Sequence, residues 1–439
     1  LFIGSAPRAD APIFVRSFLQ RRLALGLLAL QPLFTPVGAQ EAAGPAPGAG
    51  TSGPSGWFDL SKPPFLPIPE IDTAPHSGVT LGLIPVMLSN NASGQIDQIL
   101  APDVIHSQYF GWGARWRTFR YPSEDEKWSV VAGAKQYVER EFDAEYDLGL
   151  HRDDRWSWVA HAMYDRSGTG RFYGLGNASL LSNQTTYIDS QVRLELTAAR
   201  NFTHELQLAY LVRADSADIE HSSLDSLPSI ESRYPNLAGV GDASELQQRL
   251  ILSYDTRDSV VVPRQGQRLA AYAGFSTRAL GGSVSYSFLG LDGTYLQPVG
   301  PDLTVVGHAA LRYMPTFTDA PFWALSSLGG ESSVIAEAQS LRAYGAGRYV
   351  DRNGFSASVE ARTWVRSMHL FDTDLKFELA PFVDSGKVFA SMSSSPVSQL
   401  HVGGGMGFRV IASPHVVGYL DVAYGKEKFA VFSGIDYPF

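Results

Sequence analysis

The side chains with most to offer chemically are charges spaced two apart. Glu360 and Arg362, then Lys376, Glu378 and Asp384, alternate with apolar residues: Phe355, Ala357, Val359 and Ala361 in one segment, Leu375, Phe377, Leu379 and Val383 in the other. Successive strand side chains point to opposite faces, so this spacing predicts one charged face and one hydrocarbon face. Ser358, Trp364, Phe382 and Gly386 share the charged face, and the following segments add Gly403, Gly405, Gly407 and Arg409, then Tyr419 and Asp421. Both signs of charge therefore meet in one interior, which is tolerable only if water fills it or the charges pair. The chemistry available is ion pairing and hydrogen bonding.

Bond-making chemistry finds little support. The chain has no cysteine, which removes thiolate nucleophiles, disulfides and cysteine metal sites together. No Gly-x-Ser-x-Gly elbow occurs, and the ten histidines form no HExxH. His106, His151, His161, His401 and His415 fall singly on different segments. The glycine run Gly403 to Gly405 is not placed between a strand and a helix, as a phosphate site requires. The expectation is a protein that is not an enzyme and carries neither cofactor nor metal.

Such faces need an all-β scaffold. Hydrophobic residues make up 44%, charged residues 18% and aromatics 12%, and past the N-terminal region no run reaches the ~18 apolar residues of a membrane helix. A net charge of -9 argues against a nucleic-acid partner. The final residues Phe429 to Phe439 alternate, with Phe429, Val431, Ser433, Ile435, Tyr437 and Phe439 on one face. A terminal aromatic strand is the pattern of an outer-membrane wall, with lipid as the immediate partner. The other reading of that segment is the last strand of a soluble sandwich.

The N-terminus fits export. Arg16, Arg21 and Arg22 precede the apolar run Leu23 to Leu30, and Val37-Gly38-Ala39 supplies small residues for cleavage. Residues 1–39 therefore read as a secretory signal peptide, with 1–14 an over-extended start. Residues 40–77, rich in Gly and Pro, read as a periplasmic linker. From Gly78 to Phe439, segments of about ten residues with alternating polarity predict an antiparallel transmembrane β-barrel. About sixteen strands are expected between residues 95 and 438, with Val79 to Leu88 left over. Tight connections alternate with long ones at 165–185, 218–244 and 315–353, so the long loops would lie outside the cell.

Several of these residues resemble the Omp85 superfamily, also known as surface antigen D15, which includes outer-membrane assembly factors and two-partner secretion transporters. Phe382-Val383-Asp384-Ser385-Gly386 is similar to its inner-wall motif, and Leu341-Arg342-Ala343-Tyr344 to the tip of its inserted sixth loop. Glu360 and Arg362 match its Glu-x-Arg strand. Asp255-Thr256-Arg257-Asp258, followed by Pro263, Gly266 and Leu269, resembles its strand-turn-strand element, and Arg171 to Asn177 a stretch of its smaller members. The resemblance implies a long extracellular loop folded into the lumen and latched by Arg342 on Asp384, with Tyr344, Phe382 and Gly386 around the pair. Ala343 departs from the pattern by replacing the tip glycine.

The resemblance also implies that Phe429, Ile435, Tyr437 and Phe439 form a C-terminal assembly signal. It implies insertion or translocation of polypeptides through a seam between first and last strands, with client barrels or secreted chains as partners. Family members carry periplasmic POTRA modules ahead of the barrel, and residues 40–77 are too short and too rich in Pro and Gly to form one. A separate periplasmic partner would then supply that arm. The alternative is a passive pore or structural barrel, and a barrel lipase is a third class. Barrel pairing and the client are left open.

Overall fold

The structure is a computed structural model that describes residues 65–439, apart from 75–77, 92–95, 124, 222–223, 371–372, 394, 413–415 and 436–439. The signal peptide, residues 40–64 of the linker, His415, Tyr437 and Phe439 lie outside the described residues.

One sheet of nineteen strands closes on itself among the described residues. In chain order they are β1 (Phe65–Ala74), β2 (Gly78–Asn90), β3 (Ile96–Leu100), β4 (Asp103–Ser107), β5 (Gly111–Ser123), β6 (Glu126–Lys135), β7 (Arg140–Leu148) and β8 (Trp156–Ser167). There follow β9 (Ile188–Asn201), β10 (Leu206–Glu220), β11 (Gly241–Asp255), β12 (Gly266–Ser276), β13 (Tyr286–Pro298) and β14 (Leu303–Thr316). The last five are β15 (Asn353–Leu370), β16 (Thr373–Phe389), β17 (His401–Ala412), β18 (Val416–Gly425) and β19 (Lys428–Ile435). Each pairs antiparallel with its neighbours, and β3 and β4 share one position between β2 and β5. The wall thus has eighteen positions. Closure satisfies the backbone groups that lipid cannot.

Eighteen corrects the expected sixteen, and the two additional strands are β1 and β2. β1 lies in the stretch read as linker, where Pro67 and Pro69 argued against a strand. Both prolines are tolerated because of where their missing N–H groups would point. Ile71 turns its N–H and C=O to the Ser433 hydroxyl at 2.8 and 3.2 Å. Residues 67 and 69 share that direction by alternation, so the ladder to β2 loses no donor.

Alternation in the remaining strands sorts side chains as the sequence predicts. On β10, Arg213 and Asp215 are buried inside while Tyr210 is exposed outside. Leu196, Leu291, Val359, Val383, Phe408 and Phe429 are among the large apolar side chains on the outer surface, a band suited to lipid. Long connections leave β8, β10 and β14 at one end, where Phe172, Ile230, Tyr286, Phe288 and Phe322 form an apolar core.

Closure at the seam is unusual. Among the described residues β1 meets β19 at one pair, Thr73 with Val431, whereas β1 and β2 match over ten consecutive pairs. Toward the start of β1 the N-terminal strands overlap the C-terminal part of the wall. Ile68, Ile84, Val86 and Ile99 lie on the face of β1 to β3 that also carries Glu70. They pack over Leu375, Phe377 and Val410, on the face of β16 and β17 opposite to Glu378 and Arg409. Leu375 and Phe377 therefore do not face lipid as expected. They are outward by alternation but covered by the N-terminal strands, and Leu375 is only 4% exposed.

Candidate functional site

The loop between β14 and β15 fills the interior with structure of its own. Pro321 leads into a single 3₁₀ turn, Phe322–Ala324, and Ser326–Leu328 then pairs with Tyr349–Asp351 and Ala338–Gln339. Gly329 sits at φ +129, and a Cβ there would lie 2.1 Å from the Gly345 carbonyl oxygen, so no other residue fits. Two backbone bonds at Gly330, accepted by its C=O from Leu341 N–H at 3.0 Å and donated by its N–H to Tyr344 C=O at 2.9 Å, fix the tip.

Arg342 is at that tip and is fully buried. Its Nε and Nη2 donate to the two oxygens of Asp384 at 2.9 and 2.8 Å, and its backbone N–H donates to Asp384 Oδ2 at 3.0 Å. Nη1 reaches Glu360 at 2.8 Å and Asp421 at 2.9 Å. Its guanidinium also lies over the Phe382 ring, 3.4 Å from the centroid. Arg362 donates to Glu360 at 2.8 Å and Arg409 to Asp421 at 2.5 Å. Three guanidinium groups and three carboxylates thus form one neutral network, which offsets the cost of burying each charge. The structure brings together Arg342, Asp384, Glu360, Arg362 and Phe382. It adds Asp421 and Arg409, which the alternation had placed inside the lumen without assigning them to the latch.

The alanine at the tip has a structural answer. Ala343 is fully buried and is not among the residues with positive φ. Its methyl occupies space left by two wall glycines: a Cβ on Gly403 would be 2.3 Å from it, and one on Gly425 2.8 Å. Gly386 admits the loop similarly, since a Cβ there would meet Leu328 side-chain carbons at 2.9 and 3.0 Å. Tyr344 packs edge-on against both Tyr349 and His401, which stack on each other, and donates to the Val402 carbonyl at 3.3 Å.

A second anchor of opposite sign was not anticipated. Glu337, five residues before Arg342, pairs with Arg213 of β10 and, at 3.2 Å, with Arg249 of β11. Arg249 also donates to the Ile335 carbonyl at 2.9 Å. The loop passes through φ +84 at Ala336 to present this carboxylate. One loop is therefore held by a cation on β15, β16 and β18 and by an anion on β10 and β11. The available signal was the alternation of β10 and β11, which places Arg213 and Arg249 inside.

Outside the lumen the segment Arg171 to Asn177 covers the loop. Gly176 N–H donates to Val350 C=O at 2.8 Å, and Asn177 binds the Gln399 carbonyl and the Val388 N–H at 2.9 and 3.1 Å. Burial pushes the Tyr173 phenol up to about 12, so it stays neutral beneath Arg348, whose guanidinium carbon lies 4.5 Å from its ring centre. Arg348 itself holds Glu427 at 2.8 Å.

The strand-turn residues form a separate unit. Arg257 grips Asp255 through Nε and Nη2 at 3.0 and 2.8 Å, and Asp258 accepts from the Arg264 N–H at 2.9 Å. Gly266 at φ +102 completes the turn, where a Cβ would lie 2.2 Å from the Thr256 carbonyl oxygen. These contacts shape a hairpin and involve none of the latch residues. In β19, Phe429 is outward and 64% exposed, and Ile435 is opposite Gly418.

A model of the Omp85 superfamily domain matches residues 126–429, more than half of the chain. The chain belongs to the Omp85 superfamily. As an Omp85 barrel it is a bacterial outer-membrane protein. Among solved structures it is similar to BamA from Haemophilus ducreyi lacking POTRA domains 1–3, at 11% identity and a TM-score of 0.50, over 80% of this chain and 75% of that one. CdiB from Escherichia coli matches at 13% identity and a TM-score of 0.47, over 86% of this chain and 63% of that one. No curated protein sequence matches the chain. For this Omp85 barrel, the expected loop motif and wall motif are one assembled site.

Proposed function

We propose that this Omp85 protein inserts or translocates polypeptides, using the seam between β1 and β19 as the place where a client strand joins the wall. The observation that carries this is that, among the described residues, the seam holds a single pair, Thr73–Val431, where β1 and β2 hold ten. A strand edge that is not zipped to its neighbour is a template for β-augmentation, more so in lipid where water cannot satisfy backbone groups. The latched loop braces β15, β16 and β18 against β10 and β11, so the wall keeps its shape while the seam parts. The reading requires no catalysis, cofactor or metal.

The test is a photo-reactive side chain at Ser433, on the seam side of β19, activated in native outer membranes. Recovery of nascent barrel or exported chains is the expected result. Efficient crosslinking to lipid and β1 alone would overturn the reading in favour of a passive pore or structural barrel.

A further inference from the structure

The β1–β2 hairpin covers more of the wall than closure needs. Three observations define what it does. Its edge toward β19 lacks donors at Pro67 and Pro69, and at Ile71 the N–H and C=O bond a side-chain hydroxyl rather than backbone. A continuous ladder with β19 is therefore impossible along this edge. Its apolar inner face instead lies on the outer face of the C-terminal strands: Ile68 is 9% exposed, Ile84 and Val86 essentially buried, and Leu375 is beneath them. Finally, Gly418 of β18 lies under the hairpin, with Ile68 Cδ1 3.0 Å from where its Cβ would be. A glycine leaves room for the hairpin to lie flat.

We propose that this hairpin is a strap that occludes the β19 edge and the apolar strip beside it until it is peeled away. The proposal rests on the seam reading above and adds a regulatory element to it. Overlap by side-chain burial differs from a zipped ladder in how it opens. A ladder must break in register, one backbone bond after another, whereas an overlapped face detaches as a unit when its apolar contacts are exchanged for others. The hairpin stays intact through its ten pairs with itself. What replaces it must offer the same features, namely a β-hairpin with one apolar face. An emerging barrel hairpin has that chemistry.

The test uses the full-length protein in detergent micelles, where the absence of native cysteine makes single labels clean. Val410→Cys lies under the strap, while Phe408→Cys is on the same face two residues away and 45% exposed in the parent side chain. We expect N-ethylmaleimide to modify Val410→Cys at least tenfold more slowly than Phe408→Cys. Ile68→Asp, which places a charge in the overlap, should remove that difference, and Gly418→Leu should do so from below without altering the hairpin. Heat-modifiable gel migration confirms that each variant is a folded barrel.

A fluorescein-labelled peptide copying residues 65–90 then reports on the edge without any client. It should bind Ile68→Asp at least tenfold more tightly than the parent, and Gly418→Leu no more tightly than the parent, because the leucine excludes the peptide as it excludes the strap. Equal labelling of Val410→Cys and Phe408→Cys in the parent would overturn the overlap. Faster labelling in Ile68→Asp with no gain in peptide binding would overturn the strap. Failure to capture clients at Ser433 while both of these results hold would count against the seam reading alone.

Discussion

Replacing Asp384 by Asn should free the loop tip while leaving the wall intact. Asp384 accepts four hydrogen bonds, three from Arg342 and one from Ser358 at 2.7 Å, and is 1% exposed. Asn keeps the shape but loses the charge and must turn one NH₂ toward a guanidinium. Breaking a buried pair from one side costs about 3 to 5 kcal/mol. Arg342 retains Glu360 and Asp421 through Nη1, so the lower end applies. A cost of about 3 kcal/mol shifts the latched equilibrium roughly 150-fold. The backbone N–H of Arg342 is itself a donor to Asp384, so its hydrogen exchange reads the latch directly. We expect exchange at Leu341 to Tyr344 to accelerate by about two orders of magnitude, with amides of β14 and β15 unchanged. Unchanged exchange at Arg342, or equal acceleration throughout the wall, would refute the latch as a local two-state element.

Three further outcomes follow from the same geometry. Glu337→Gln should speed exchange around Ile335 to Gln339 by roughly tenfold; combined with Asp384→Asn the two effects should add in log rate, because the networks share no residue. Gly403→Ala should destabilise the barrel by about 1 to 3 kcal/mol through the clash with Ala343, and Ala343→Gly should restore its heat-modifiability midpoint. Gly266→Ala should lower that midpoint, with a cost of about 1 kcal/mol or more from the positive φ and the Thr256 carbonyl, while exchange at Arg342 stays as in the parent.

How much of this was legible in the sequence depends on periodicity. β15 to β18 carry charges at strict period two, so Glu360, Arg362, Asp384, Arg409 and Asp421 could be assigned to the lumen from alternation alone. The latch required one further step, pairing a loop with a wall, which rested on family resemblance because a loop has no period. Glu337 shows the limit: nothing local distinguishes it from a solvated loop acid, and its role appears only when Arg213 and Arg249 face it. β1 was hidden by its composition, since proline-rich segments read as linkers unless one knows which edge is unpaired. Leu375 and Phe377 were assigned to the correct face yet the wrong environment. Alternation gives the direction of a side chain and says nothing of a second layer beyond it.

We propose that polypeptide joins the wall at the β1/β19 seam. Its most direct test is the double variant Thr73→Cys, Val431→Cys, at the position where the two seam strands pair, carrying the photo-reactive side chain at Ser433. Oxidation is expected to abolish recovery of client chains and reduction to restore it. Undiminished recovery from the fully oxidised barrel would contradict it.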